Sequence, residues 1–187
     1  MANRNTQGFG LVPAGTLGQT PATSGTGKYK IDAGSATTIF QGGAVSSSAG
    51  YIVEGQGTAD NPMVGVINGI FFNAATTLKP TFQNHYVQVT PANSEDIDAF
   101  VFDNPQQQYV VALDAALAQS GYLETYDMNA SAGSLTTGKS SSTLDHDDTS
   151  ADAASFRLLR SAEDPENDEN AAFRSVVVVP NLIELQS

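Results

Sequence analysis

The stretch Gly133-Ser134-Leu135-Thr136-Thr137-Gly138-Lys139-Ser140 has the G-x-x-x-x-G-K-S spacing of a phosphate-binding loop. That chemistry needs a buried strand before the loop and a helix after it, whose first amides and dipole cradle the phosphates. The residues before (Asp127 to Ala132) and after (Ser141 to Asp145) carry neither pattern. The match reads as chance in a chain rich in Gly, Ser and Thr, with Lys139 a solvated loop base. Asp145-His146-Asp147-Asp148, with Asp152 close by, offers the oxygen ligands that Ca²⁺ takes. The run lacks the central Gly and closing Glu of an EF-hand. For zinc, His85 is the only other His and there is no Cys. A charge-rich solvated loop is the plainer reading, and adventitious divalent-cation binding stays open. A Ser–His–Asp relay has no G-x-S-x-G elbow to start from, and His85 reads as a core or interface histidine within a strand. Glu95 and Asp98 would suit glycoside chemistry only if they faced each other across a cleft at roughly 5–9 Å, and some such pair is unavoidable among 20 acids. The expectation is a protein that is not an enzyme and needs no cofactor and no metal.

The elements that must position any site are short. Ala, Gly, Ser and Thr supply 75 of the 187 residues, while Leu, Ile, Val and Phe supply 42, enough for a core only if they cluster. Weak strands are predicted at 29–31, 37–41 and 51–54, and a longer one at 63–72, whose Gly65 and Gly69 mark a bulge or a close backbone approach. The segment 81–89 reads as a strand with Phe82 and Tyr86 on one face and His85, Val87 and Val89 on the other. Ile97–Phe102 and Tyr109–Leu113 flank Asp103-Asn104-Pro105 and predict a hairpin. Residues 115–119 suit one helical turn. Residues 127–155 read as a long polar loop, 156–160 as a strand, 161–170 as an acidic turn, and 173–179 as the most hydrophobic strand, with a break at Pro180 before 182–185. No segment longer than about ten residues has the i, i+3, i+4, i+7 spacing of a packed helix. The fold class is all-β: a single antiparallel β-barrel or β-sandwich body with an extended N-terminal arm and long loops.

Composition and charge divide the chain into an arm, residues 1–30, and a β-rich body, residues 31–187. Residues 1–28 hold six glycines and few large apolar side chains, too few to repay ordering by packing on themselves. Arg4, Lys28 and Lys30 give the arm +3, against −15 for the rest and −12 overall. The candidate partner contacts are Arg4, Phe9, Leu11, Val12, Leu17, Lys28 and Lys30, on an arm that orders against a partner or neighbouring subunit; a frayed terminus is the plain alternative. The body's bases, Lys79, Lys139, Arg157, Arg160 and Arg174, are too few beside its carboxylates for a nucleic-acid partner. The acidic balance repels anionic membranes. The longest apolar run, 63–72, is too short and too interrupted to span a bilayer. The first ten residues hold no apolar run that would suggest a secretory signal.

Several strings carry a resemblance. Tyr109-Val110-Val111-Ala112-Leu113-Asp114, the Leu135 to Ser140 segment leading to Leu144-Asp145, Phe156 to Arg160, and the turn Asp164-Pro165-Glu166-Asn167-Asp168-Glu169 before a Val-rich strand are similar to the head decoration (capsid cement) proteins of tailed bacteriophages. Gly8-Phe9-Gly10-Leu11-Val12-Pro13 resembles their arm, and Tyr29-Lys30-Ile31, Phe40 to Gly43, Asn73-Ala74 and Pro91 to Ser94 also match. Asn170-Ala171-Ala172 stands where the family pattern has Gly-Asp. The resemblance implies a virion structural protein on the outer surface of the phage head. It implies a β-barrel or sandwich body, a homotrimeric assembly, and the major capsid protein and its own copies as partners. It carries no catalytic residues. The arm and the loops at 42–50 and 127–155 are the expected reaching elements. The alternatives are another virion component (tail, neck or head fibre) or a carbohydrate- or receptor-binding β module.

Overall fold

The computed structural model describes residues 3, 5–18, 25–149, 154–168 and 170–186. The chain folds as two six-stranded sheets. The first sheet is built from β1 (Val12–Thr16), β8 (Gln107–Leu113), β9 (Thr125–Asn129), β10 (Thr143–Thr149), β11 (Phe156–Ser161) and β12 (Arg174–Pro180). Its order is β1-β8-β10-β9-β11-β12, and a further β8–β12 pairing closes β8, β10, β9, β11 and β12 into a five-strand barrel. The second sheet takes the intervening chain: β2 (Gly27–Ile31), β3 (Ala44–Ser48), β4 (Tyr51–Glu54), β5 (Gly65–Asn73), β6 (Pro80–Gln83) and β7 (Ile97–Phe102), in the order β2-β7-β5-β3-β4 with β6 also on β5. The fold is all-β, a barrel with an accompanying sheet.

Two apolar clusters form the core, and the first, built chiefly on the barrel strands, also takes in Ala44 and Val66 of the second sheet. Inside the barrel Tyr109, Val111 and Leu113 of β8 meet Tyr126 and Met128 of β9, Phe156 and Leu158 of β11, and Val176 and Val178 of β12. The second cluster gathers Ile31, Val45, Ile52, Ile67, Ile70, Ile97, Ala99 and Val101. Strand β7 shows the alternation that builds such a face: Ile97, Ala99 and Val101 are buried, while Asp98, Phe100 and Phe102 are partly open. The bulge read from Gly65 and Gly69 is present, because the β5–β7 register slips between Ile67 and Gly69.

Several expectations are corrected. The leading segment does not stand apart over its described part: β1 pairs antiparallel with β8, and Leu11 is 1% exposed in the barrel core. Two of its glycines serve close packing against the loop ahead of β10 and against Gly42. A Cβ on Gly8 would lie 2.1 Å from the Ser141 carbonyl oxygen, and Gly10 has φ +72° beside Gly42. The backbone is tied there by Gly10 N–H to Ser142 O at 3.1 Å and Leu11 N–H to Gly42 O at 2.8 Å. Strand β2 runs across position 30 and pairs with β7, so the second sheet begins before the composition boundary. The 97–113 hairpin is a corner instead: β7 pairs in the second sheet and β8 in the first, with Gln107 N–H to Asn104 O at 3.0 Å closing the turn. Asn and Pro make the turn as read, but local residues do not choose which sheet each arm joins.

The loop expected over 127–155 contains the end of β9 and all of β10, and the 42–50 loop contains β3. These strands are polar, which hid them. The Asp127 carboxylate in β9 accepts Ser155 N–H at 2.8 Å and Ala59 N–H at 3.2 Å, satisfying two backbone donors from inside the fold. The 81–89 strand stops at Gln83, and Phe82 is 70% exposed while Tyr86 is fully buried. The 37–41 strand reduces to bridges from Ile39 to Tyr86 and from Gln41 to Lys139. The helical turn lies at Gln119–Gly121, after its expected start, and Ile183 bridges Met63 ahead of a 3-10 turn at Glu184–Gln186.

Candidate functional site

Two apolar surfaces stand out, one on each sheet. The first lies along β1. Phe9, Leu11, Val12 and Pro13 line one side of a groove of about 350 Å³, with Val66, Ile67 and Phe102 across it and Lys139 at its border. Leu11 is committed to the chain's own core, so the side chains this edge can offer a partner are Val12 (47% exposed), Leu17 (40%) and the half-buried Phe9. Pro13 lacks an N–H, and the β1–β8 register shifts between Pro13 and Gly15. A proline and a bulge both blunt a sheet edge against strand addition, so contact here falls to side chains. Arg4, another expected contact, lies outside the described residues.

Lys28 and Lys30 are engaged within the chain. Both sit on β2 and close on the Asp98 carboxylate of β7, at 2.7 Å and 2.6 Å. Asp98 is largely buried at its side chain, and burial pushes its carboxyl up. The hydrogen bonds from Lys28 and Lys30, with their charges, outweigh that and hold it below the ordinary carboxylate value. Lys30 is raised in turn, chiefly by its hydrogen bond to Asp98. Next to this clasp, burial and a 2.8 Å hydrogen bond to Asp103 push the Tyr29 hydroxyl up to about 12.

The second surface is the outer face of the second sheet, which sequence reasoning missed. Directly opposed residues share a face, so register places Phe82 (β6), Phe71 (β5), Asp98 (β7) and Lys30 (β2) in one cross-strand row. The neighbouring row holds Gly69, Phe100 and Lys28. Gly69 lets the Gln83 backbone approach closely, where a Cβ would lie 2.8 Å from its carbonyl oxygen, and the Phe82 ring stacks on Phe100 at 5.5 Å and 14° while Phe71 tilts against Phe82 at 5.2 Å. The inner face beneath holds Ile70, Ala99 and Ile31 of the second core. Alternation in β7 hinted at an outward Phe100. The cluster needs three strands in register, and no local spacing encodes that.

The remaining motifs are placed as follows. After the Gly133–Ser140 loop the chain enters strand β10, where a phosphate site needs a helix; the loop closes on itself through Ser134 N–H to Lys139 O at 2.9 Å and Gly138 N–H to Ser134 O at 2.7 Å. Asp145, His146 and Asp147 lie on β10. Asp145 accepts Asp147 N–H, and Asp114 accepts His146 N–H, each at 2.9 Å. Asp152 lies outside the described residues. Among the described residues no three His, Cys, Asp or Glu side chains gather to hold a metal ion. His85 is half-buried and stacks on Phe40. Arg174 is fully buried, donating to the Tyr122 hydroxyl and to Ser161 Oγ at 3.2 Å, and it joins β12 to the segment before β9. Arg157 donates to Leu123 O at 2.6 Å. Comparison with protein-family models, curated proteins and solved structures finds no match.

Proposed function

We propose that this chain is a structural protein of a tailed-phage particle, binding the outer surface of the assembled head and cementing neighbouring capsomers as a homotrimer. Its partners on this reading are the major capsid protein and its own copies, with no role for nucleic acid, membrane or cofactor. The observation that supports it is the pair of apolar surfaces on different sheets of one chain: Val12 and Leu17 along β1, and Phe82 on β6. A clip needs two faces, one for each body it joins. Binding only the assembled shell stabilises that state by linkage, and weak contacts add when one oligomer spans several capsomers. The resemblance to decoration proteins in the 109–145 and 156–169 strings points the same way.

The test is to add the purified protein to undecorated heads and image them by electron microscopy. The expected outcome is added density at symmetry-related outer positions, with decorated heads surviving heating that opens bare ones. Unchanged heads at saturating protein would overturn the reading.

A further inference from the structure

We infer that the aromatic outer face of the second sheet, centred on Phe82, is where a second copy of this chain docks. The inference rests on the part of the reading above in which copies of the chain meet, and it names the face they use.

Three observations carry it. The first is exposure: Phe82 leaves 70% of its surface open at the centre of a three-ring cluster with Phe71 and Phe100. Exposed aromatic clusters of this kind mark association sites, since Phe supplies large contact area with few rotatable bonds. The second is the border of the cluster. Lys30 and Asp98 share the row of Phe82 and Phe71, Lys28 lies in the next row, and Glu95 and Asp96 act on the Lys30 ammonium from the end of the strand. A surface that meets its own copy must be self-complementary, and one with both signs of charge around an apolar centre satisfies that requirement. A purely basic or purely acidic partner would find half of this border repulsive.

The third is the uneven spread of charge. Residues 27–102, which build the second sheet, hold three lysines and six carboxylates, a net −3. Residues 103–187 hold four bases and fourteen carboxylates, a net −10. Two copies approaching barrel to barrel bring the larger charges together, whereas approach through the second sheet keeps them apart. The apolar cluster therefore lies on the half of the molecule where like copies repel least.

Sedimentation equilibrium of the full chain, from micromolar to submillimolar concentration, tests this. Wild-type protein is expected to self-associate. Phe82→Ser and Phe82→Lys are expected to weaken association about tenfold or more, as loss of a central aromatic anchor does. Leu123→Ser, also well exposed at 61% but on the segment leading into β9, should associate as wild type. Phe82 is mostly solvent-facing, so both Phe82 variants should keep the wild-type circular dichroism spectrum and melting profile. An assembling wild type whose Phe82 variants assemble unchanged would overturn the face alone. A wild type that stays monomeric throughout would overturn both the face and self-assembly, while head decoration would still report on shell binding independently.

Discussion

Asp98 shows how a single side chain ties charge to stability. Its carboxyl is held below its ordinary value by Lys28 and Lys30 despite the burial that opposes this. A group whose pKa falls on folding binds fewer protons in the native state, so its stabilising contribution is present above the unfolded value and fades as pH drops through the native one. Asp98→Asn is expected to lower stability by about 1 kcal/mol at neutral pH, a small figure because both lysines are at least half exposed and solvent screens the pairs. In urea titrations the difference between variant and wild type should shrink below pH 4 and vanish once Asp98 is protonated in both states. A gap that persists after Asp98 is protonated in both states would mean the variant acts through packing. Of the seven expected partner contacts, Lys28 and Lys30 instead meet Asp98 of the same chain, a partner that could not be read without the β2–β7 register.

At the scale of elements, the leading strand depends on backbone proximity. Gly8→Ala would press a methyl to within 2.1 Å of the Ser141 carbonyl oxygen, a backbone atom just ahead of β10 that cannot move without the chain around it. The expected loss is about 2 kcal/mol or more, read from the denaturation midpoint. Gly15→Ala, which meets nothing within 4 Å, should leave the midpoint within about 0.5 kcal/mol of wild type. This contrast also explains what the sequence concealed. Strands with apolar alternation, β7 and β11, or with continuous apolar runs, β5 and β12, were readable because their buried positions are written largely in Ile, Val, Leu and Phe. Strand β1 was not, since the glycines around it signal mobility by composition, while the fold uses Gly8 and Gly10 just ahead of it for close contact. Strand β10 was hidden by its polar make-up, with Thr143 buried and Asp147 exposed, which gives no apolar face to read. The Asp103-Asn104-Pro105 turn was recognisable, but its arms part into different sheets for reasons carried by β1, β2 and β12, far away in the chain.

For the molecule as a whole, the first strand is structural. Removing residues 1–17 takes away Leu11 from the barrel core and every β1 hydrogen bond to β8. The shortened chain should lose more than about 3 kcal/mol, or fail to give a cooperative transition in chemical denaturation. Full retention of the wild-type midpoint would instead return this segment to the role of a free arm. The two sheets also differ in how the chain reaches them. The second is made from one continuous run, 27–102, whereas the first needs Val12 beside Val110. Synthesis proceeds from the N-terminus, so on the ribosome the continuous sheet can close while the opening strand still lacks its mate. Such distant pairing makes for slow maturation. The nascent product thus carries its opening strand unmatched while about ninety residues are translated, from the end of β1 to the start of β8, the interval in which a holdase would matter most.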